Sequence, residues 1–445
     1  MNASDFGENF VWGVSTAAYQ IEGAYDSHGK GPSIWDTFTA TPKMIHNEEN
    51  ANVSCDFYNK YKEDILLMKS MHIDNYRFSI SWARILPEGI GTKNEAGIQF
   101  YNDVINFCLE QKITPWVTLY HWDLPQVLEE KGGWTNRNII LWFSEFTETC
   151  ANAFGDRVKH WMVLNEPMVF TGAGYFLGIH APGKKGLKNF LPATHHAVLC
   201  QAEGGRILRK LVPNAQIGTT FSCSEITPYR KNNRDMKTAI KVDALLNRLF
   251  IEPALGMGYP TKDAPVLKKL QPYIHPKDME DCKFDFDFIG IQNYTREKVK
   301  YSVLVPYIRA KIVKASKRNV QTTLMDWEVY PPSIYNMIKK YSSYRQIRKV
   351  IITENGAAFK DTVNEEGIID TERIHFLHRY LGQVLKAKQE GLNIHGYFVW
   401  TFTDNFEWAE GYHPRFGLVH IDFKILKRTI KASGKWFSQF LKSVN

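Results

Sequence analysis

Glu166 and Glu354 are the two residues of this chain best placed to do chemistry. Each closes a short apolar run, Trp161-Met162-Val163-Leu164-Asn165 and Val350-Ile351-Ile352-Thr353. Runs that are apolar on consecutive residues read as strands buried on both faces, as in a parallel sheet. A carboxylate at the end of such a strand is pushed out of the core, beyond the strand's carboxyl end. In a parallel barrel that place is the functional face. Two carboxyls on different strands can divide one reaction between them. One gives and takes a proton while the other stays ionised, provided their surroundings hold the two pKa values apart. The plain alternative is a pair of solvated loop acids, and neither residue alone decides between the two.

The elements that must position them alternate along the whole chain. Strand candidates lie at 10–14, 73–80, 114–119, 160–164, 216–221, 286–291, 349–353 and 394–401. Amphipathic helical windows lie between them at 58–71, 96–111, 138–154, 191–211, 236–251, 333–341 and 372–390. Eight strands joined by helices is the arithmetic of a (β/α)8 barrel. A doubly wound sheet is the alternative, but no GxGxxG follows the first strand and no Walker A motif is present. No Pro/Gly/Ser-rich or low-complexity linker divides the chain, so 1–445 is expected to be one α/β domain with extended loops at the carboxyl-end face.

The other strand ends supply the company these carboxyls would keep. Gln20 follows the first strand, Arg77 lies inside the second, and His121 and Trp122 follow the third. Asn165 precedes Glu166. Tyr294 follows the sixth strand, and Trp400, Glu407 and Trp408 follow the eighth. Amides and carboxylates bind the hydroxyl edge of a pyranose, and flat indole faces bind its C–H surface. Two carboxylates in such a setting can cleave a glycosidic bond. Arg77 and Tyr294 are candidates to orient Glu354 and keep it ionised, whereas Glu166 has no cation beside it in sequence.

These residues also fall in longer motifs. They are Phe10-Val11-Trp12-Gly13, Ala17-Ala18-Tyr19-Gln20-Ile21-Glu22-Gly23, Tyr76-Arg77-Phe78-Ser79-Ile80-Ser81-Trp82, His121-Trp122-Asp123-Leu124-Pro125, Leu164-Asn165-Glu166-Pro167, Ile352-Thr353-Glu354-Asn355-Gly356, and Asp404-Asn405-Phe406-Glu407-Trp408 with Arg415-Phe416-Gly417. In that order and spacing the chain resembles glycoside hydrolase family 1, the β-glucosidase-like retaining glycosidases. The resemblance implies Glu354 as nucleophile and Glu166 as acid/base. It implies that Gln20, His121, Trp122, Asn165, Tyr294, Trp400, Glu407, Trp408 and Phe416 bind the sugar, with Trp327 on the aglycone side. It implies that Arg77 and Tyr294 orient the nucleophile. Myrosinase-like relatives replace the acid/base with Gln, and this chain keeps Glu166. Glu407 stands where the phospho-glycosidase branch lacks an acid, and its charge is expected to repel a 6-phosphate. One departure is visible: the family's Asn-Tyr-Tyr is Gln292-Asn293-Tyr294 here, expected to alter aglycone-side polarity.

The resemblance therefore implies a β-glucosidase that acts on terminal β-D-glucosyl residues of a small β-glycoside or short oligosaccharide. A β-galactosidase, β-fucosidase or transglycosidase is the alternative within the family, and a catalytically silent sugar-binding barrel the alternative outside enzymes. No cofactor and no metal is expected, as no His or Cys is spaced to join His121 as a ligand. Composition excludes other classes. The six cysteines are widely spaced and read as buried free thiols of a reducing compartment. No signal-like leader and no long apolar window is present, so a cytoplasmic chain without a transmembrane segment is expected. The net charge of +8 is uneven, because 296–318 holds eight basic residues against Glu297. The rest is near neutral, which excludes nucleic-acid binding by composition. That segment reads as a solvated basic loop walling the aglycone side. An acidic aglycone, an anionic membrane and a partner protein are its sharper readings. A homo-oligomer is compatible with the sequence.

Overall fold

In the computed structural model the eight apolar runs form strands β1 (Val11–Ser15), β2 (Asn75–Ser79), β3 (Thr114–Tyr120), β4 (His160–Asn165), β5 (Gln216–Ser222), β6 (Phe288–Gln292), β7 (Val350–Asn355) and β8 (Ile394–Trp400). The structure describes residues 1–365 and 367–442. Each strand pairs in parallel with its sequence neighbours, and β8 closes on β1, so the sheet is a closed barrel. Closure leaves no strand edge exposed.

Inside the barrel Trp116, Met162, Phe288, Ile351 and Phe398 form a floor. Two strand glycines make room for it: a Cβ on Gly13 would lie 2.4 Å from the Phe398 ring, and one on Gly218 would lie 2.3 Å from the Phe288 ring. Arg77 sits above this floor, fully buried, with its Nε directed at the Met162 sulfur at 3.2 Å. A much larger apolar core fills the space between the outer barrel surface and the helices.

The longer α-helices are α1 (Phe57–Ser70), α2 (Glu95–Glu110), α3 (Ile139–Phe154), α4 (Leu187–Leu211), α5 (Asn233–Asp243), α6 (Pro332–Ser342), α7 (Thr371–Gln389) and α8 (Ala432–Leu441). The window expected at 236–251 departs most. α5 ends at Asp243 and a π-helical turn runs from Ala244 to Arg248. There the Asn247 side chain pairs with both the N–H and the carbonyl of Ser224, which binds this segment to the end of β5. α4 starts four residues earlier than its window and carries Pro192 inside it. No helical window was expected over α8.

The basic segment is not an irregular loop. Arg296–Tyr301 pairs in parallel with Glu225–Pro228 and antiparallel with Ala310–Ile312, giving a small three-stranded sheet outside the barrel. Its β-branched and aliphatic residues alternate with the lysines, a strand period that charge counting conceals. All six cysteines are free and buried. Among the described residues no helix is long and apolar enough to cross a membrane.

Candidate active site

Glu354 and Glu166 face one cleft at the carboxyl ends of the strands, with a cavity volume of about 220 Å³. Shifts of strand register deliver them there. β7 slips against β6 between Ile352 and Glu354, and β4 slips against β5 between Met162 and Asn165. Such slips re-aim the side chains that follow them. The next glycine is required by space: a Cβ on Gly356 would lie 1.7 Å from the Trp400 carbonyl oxygen.

Three groups donate to Glu354. Arg77 and Gln292 both reach Oε1, Gln292 at 2.7 Å, and the Tyr294 hydroxyl reaches Oε2 at 2.6 Å. Arg77 and Gln292 extend the network to Asn165 Oδ1, at 2.5 and 2.7 Å, where the Thr220 hydroxyl also donates at 2.9 Å. With three donors on Oδ1, the Asn165 amide orientation is determined, and its Nδ2 faces His121 Nε2 at 3.0 Å. Burial, with Arg77 nearby, holds His121 well below its ordinary pKa. The ring is thus neutral and accepts at Nε2. Its proton lies on Nδ1, which has no partner among the described residues.

Glu166 is held differently. Its backbone is left-handed, with φ +45°, and it opens a short helical turn through Pro167. Its Oε1 is buried and has no partner among the described residues. Burial raises its carboxyl well above the ordinary range, and the charge of Glu354 raises it further. Burial raises Glu354 too, but Arg77 and Tyr294 oppose the rise. The pair is therefore ordered: Glu354 gives up its proton first. Trp122 and Trp408 at the same cleft also hold left-handed backbones, φ +71° and +49°. Positive φ at bulky residues is costly and clusters at functional sites.

Of the thirteen residues singled out by sequence, ten line the cleft: His121, Trp122, Glu166, Tyr294, Trp327, Glu354, Trp400, Glu407, Trp408 and Phe416. Gln20, Arg77 and Asn165 bond directly to lining residues, Glu407, Glu354 and His121. Gln20 Nε2 donates to the Phe406 carbonyl at 2.9 Å and lies 3.4 Å from Glu407, while its buried Oε1 has no partner among the described residues. Trp400, Phe416, Tyr294 and Trp327 form one apolar wall with Met325. Trp408 is the most core-like of the set, packed 4.6 Å from both the Trp35 and Trp122 rings.

Two expectations need correction. Gln292 and Asn293 do not set aglycone polarity. Gln292 turns into the barrel to the Glu354–Asn165 network. Asn293 turns away, donating to the carbonyls of Cys223 and Thr295 and to the Ser333 hydroxyl. The charge argument at Glu407 also fails near neutral pH. Burial and the charge of Glu354 push its carboxyl up to about 8, so it is largely protonated and presents a hydrogen-bond donor.

Sequence reasoning missed His180, Val169, Ser222, Met325, Ala409 and Glu410, which also line the cleft. Ser222 ends β5 and was open to the same strand-end logic as the rest. His180 follows a π-helical segment, Phe170–Leu177, and carries no sequence signal of its place. One group of ligand-type donors, Asp361, Asp404 and His420, meets outside the cleft. It already encloses a cation, because the buried Lys431 ammonium lies 2.6 Å from Asp361 and 2.7 Å from Asp404.

A parallel barrel with two unequal buried carboxyls among amides and indoles defines a glycoside-cleaving class. The chain belongs to glycosyl hydrolase family 1, whose family model matches residues 2–445. It is similar to beta-glucosidase A of Thermotoga maritima, 42% identical over 445 residues, covering 100% of this chain and 99% of that one. It is also similar to a 1,4-beta-D-glucan glucohydrolase of Thermotoga neapolitana, 42% identical over 440 residues with 98% of each chain covered. Among solved structures, a family 1 β-glucosidase from Thermotoga maritima superimposes with a TM-score of 0.95 at 41% identity, covering 100% of this chain and 99% of that one. A complex of the Thermotoga maritima enzyme with glucoimidazole gives 0.94 over 99% of both chains, also at 41% identity.

Proposed function

We propose that this chain is a β-glucosidase that removes terminal, non-reducing β-D-glucosyl residues with retention of configuration. The observation that carries the reading is the inequality of Glu166 and Glu354 across one cleft. Glu354 attacks the anomeric carbon as its carboxylate, held by Arg77, Gln292 and Tyr294. Glu166, still protonated, delivers its proton to the departing oxygen. In the second step Glu166 takes a proton from water, and that water releases the sugar from Glu354. The same pair serves both steps, which retention requires.

Gln20, His121, Trp122, Glu407 and Trp408 hold hydroxyls of the sugar, and Asn165 uses its remaining N–H for the 2-hydroxyl. Trp400 and Phe416 form the platform under the ring, and Trp327 stacks on the aglycone. Protonated Glu407 and the Nδ1–H of His121 act as donors here. Residues 1–445 act as one domain, without a cofactor, on small β-glycosides or short oligosaccharides. Six buried thiols support a reducing compartment such as the cytoplasm.

Overlap with galactosides is the second reading. It is favoured by a structure of the similar Thermotoga maritima enzyme with galacto-hydroximolactam. Comparing kcat/KM on aryl β-glucoside, galactoside and fucoside ranks the sugars, because that ratio measures transition-state discrimination. A 2-deoxy-2-fluoro glucoside should label Glu354 covalently. Labelling elsewhere, or no turnover of an aryl β-glucoside by the native chain, would overturn the assignment.

A further inference from the structure

The positive charge of this chain is gathered in one place. Residues 229–243 carry +3 and residues 296–318 carry +7, against +8 for the whole chain, so everything else is slightly acidic. The fold joins these two segments. α5 packs Ala239 and Val242 on Val299 of the small outer sheet. Asp235 accepts from the Tyr301 N–H at 2.9 Å, and Lys241 donates to the Ile308 carbonyl at 3.0 Å.

Two kinds of side chain stand out from this unit, and Lys311, paired with Lys300, lies on the sheet face turned away from α5. Lys237, Arg309, Lys311, Lys314 and Lys317 are exposed, and among the described residues none is ion-paired. The acids nearby are engaged or partly withdrawn: Asp235 is buried against Arg230, Asp243 binds Lys340, Asp326 accepts from Ser316, and Glu225 and Glu297 are half-buried. Between the cations stand large apolar groups. Val303 and Leu304, at the turn between the two basic strands, are 71% and 87% exposed.

A soluble polyanion needs only the cations. Cations surrounding protruding aliphatic side chains match an anionic bilayer, whose head groups meet the charge while the apolar tip enters the interface. We propose that the 296–318 segment, with Val303 and Leu304 at its turn, docks this chain on membranes that carry anionic lipids. The unit is tied to the cleft, because Arg296 and Arg318 both bond Glu328, the neighbour of Trp327. Docking there therefore sets the cleft mouth beside the lipid surface.

The test is sedimentation of the full chain with vesicles of phosphatidylcholine, alone or mixed with phosphatidylglycerol. Binding is expected only to the mixed vesicles, and it should weaken as salt rises. The Lys311→Glu/Lys314→Glu/Lys317→Glu variant should lose about tenfold or more of its partitioning. The Val303→Ser/Leu304→Ser variant should lose several-fold on vesicles yet keep its retention on a heparin column. Both should turn over a soluble aryl β-glucoside as the native chain does, which reports an intact fold. No partitioning of the native chain at low salt overturns the proposal. So does a Val303→Ser/Leu304→Ser variant that binds vesicles like the native chain, because the surface is then a general polyanion site.

Discussion

The ends of β4 and β7 present the same chemical group to the same cleft, and almost everything around the two differs. Glu354 sits in a lattice of donors in which Arg77, Gln292 and Tyr294 occupy both carboxylate oxygens. Glu166 has an Oε1 with no partner among the described residues, a left-handed backbone and a like charge across the cleft. Both are buried, so burial cannot be what separates them. Their neighbours do, and principally the Arg77 guanidinium, which reaches Glu354 from β2 through the barrel interior. In a closed parallel barrel each strand end meets several others, so one Arg can hydrogen-bond one of two acids and reach the other only through its charge.

Replacing each carboxyl in turn is the harshest test of that difference. Glu354→Ala should lower kcat by about 10⁴-fold or more on every leaving group, because no covalent intermediate can form. Glu166→Ala should cost about 10²- to 10⁴-fold on alkyl glucosides but little in the first step with a dinitrophenyl leaving group, which needs no proton. Added azide sharpens the contrast. It should yield the α-glucosyl azide from Glu354→Ala and the β-glucosyl azide from Glu166→Ala, as read by NMR of the products. The same anomer from both variants would show that the two roles are not divided in this way.

Weakening the donor lattice should have a smaller effect. Gln292→Leu removes a hydrogen bond to Glu354 and another to Asn165. Donors to a charged group contribute about 1.5–3 kcal/mol, so kcat/KM should fall about 10- to 100-fold. The acidic limb of the pH–kcat/KM profile should move to higher pH, because Glu354 then holds its proton longer. The basic limb, which reports Glu166, should stay in place. If both limbs move together, the lattice serves the pair and not Glu354 alone.

The smallest effect concerns stability and involves Glu407, another acid of the cleft. Glu407 titrates at about 8 in the fold against an ordinary 4.5. The folded chain thus binds this proton more tightly than the unfolded chain. The stabilisation is full below about 4.5 and is lost as pH rises through about 8. Glu407→Gln should leave Tm unchanged near pH 4 and raise it by a few degrees near pH 9. Equal shifts at both values would mean that the amide alters packing and that the carboxyl titrates normally.

Much of this molecule was open to reading from the chain alone. A β-branched run such as Val350-Ile351-Ile352 reads as a strand buried on both faces, and eight such runs separated by helical windows leave a parallel barrel as the economical solution. Strand ends then marked where polar groups must emerge, which is how Glu166, Glu354, His121 and Asn165 were found. The method did not extend to residues whose direction depends on register. Gln292 enters the barrel because β7 slips against β6 beside it, and no local pattern announces that slip. It also did not reach His180, carried to the cleft by an irregular π-helical segment.

Charge states were beyond it for a different reason. The sequence determined that Glu166, Glu354 and Glu407 fall at or beyond the carboxyl ends of strands. Only the tertiary structure decided which of them holds a proton, because that depends on how completely water is removed and on which distant Arg, Gln or Tyr comes within hydrogen-bond reach. The basic segment shows the same division. Its charge was countable from the chain, but its pairing into a sheet and its union with α5 needed long-range contacts, and those contacts are what turn a run of lysines into a surface.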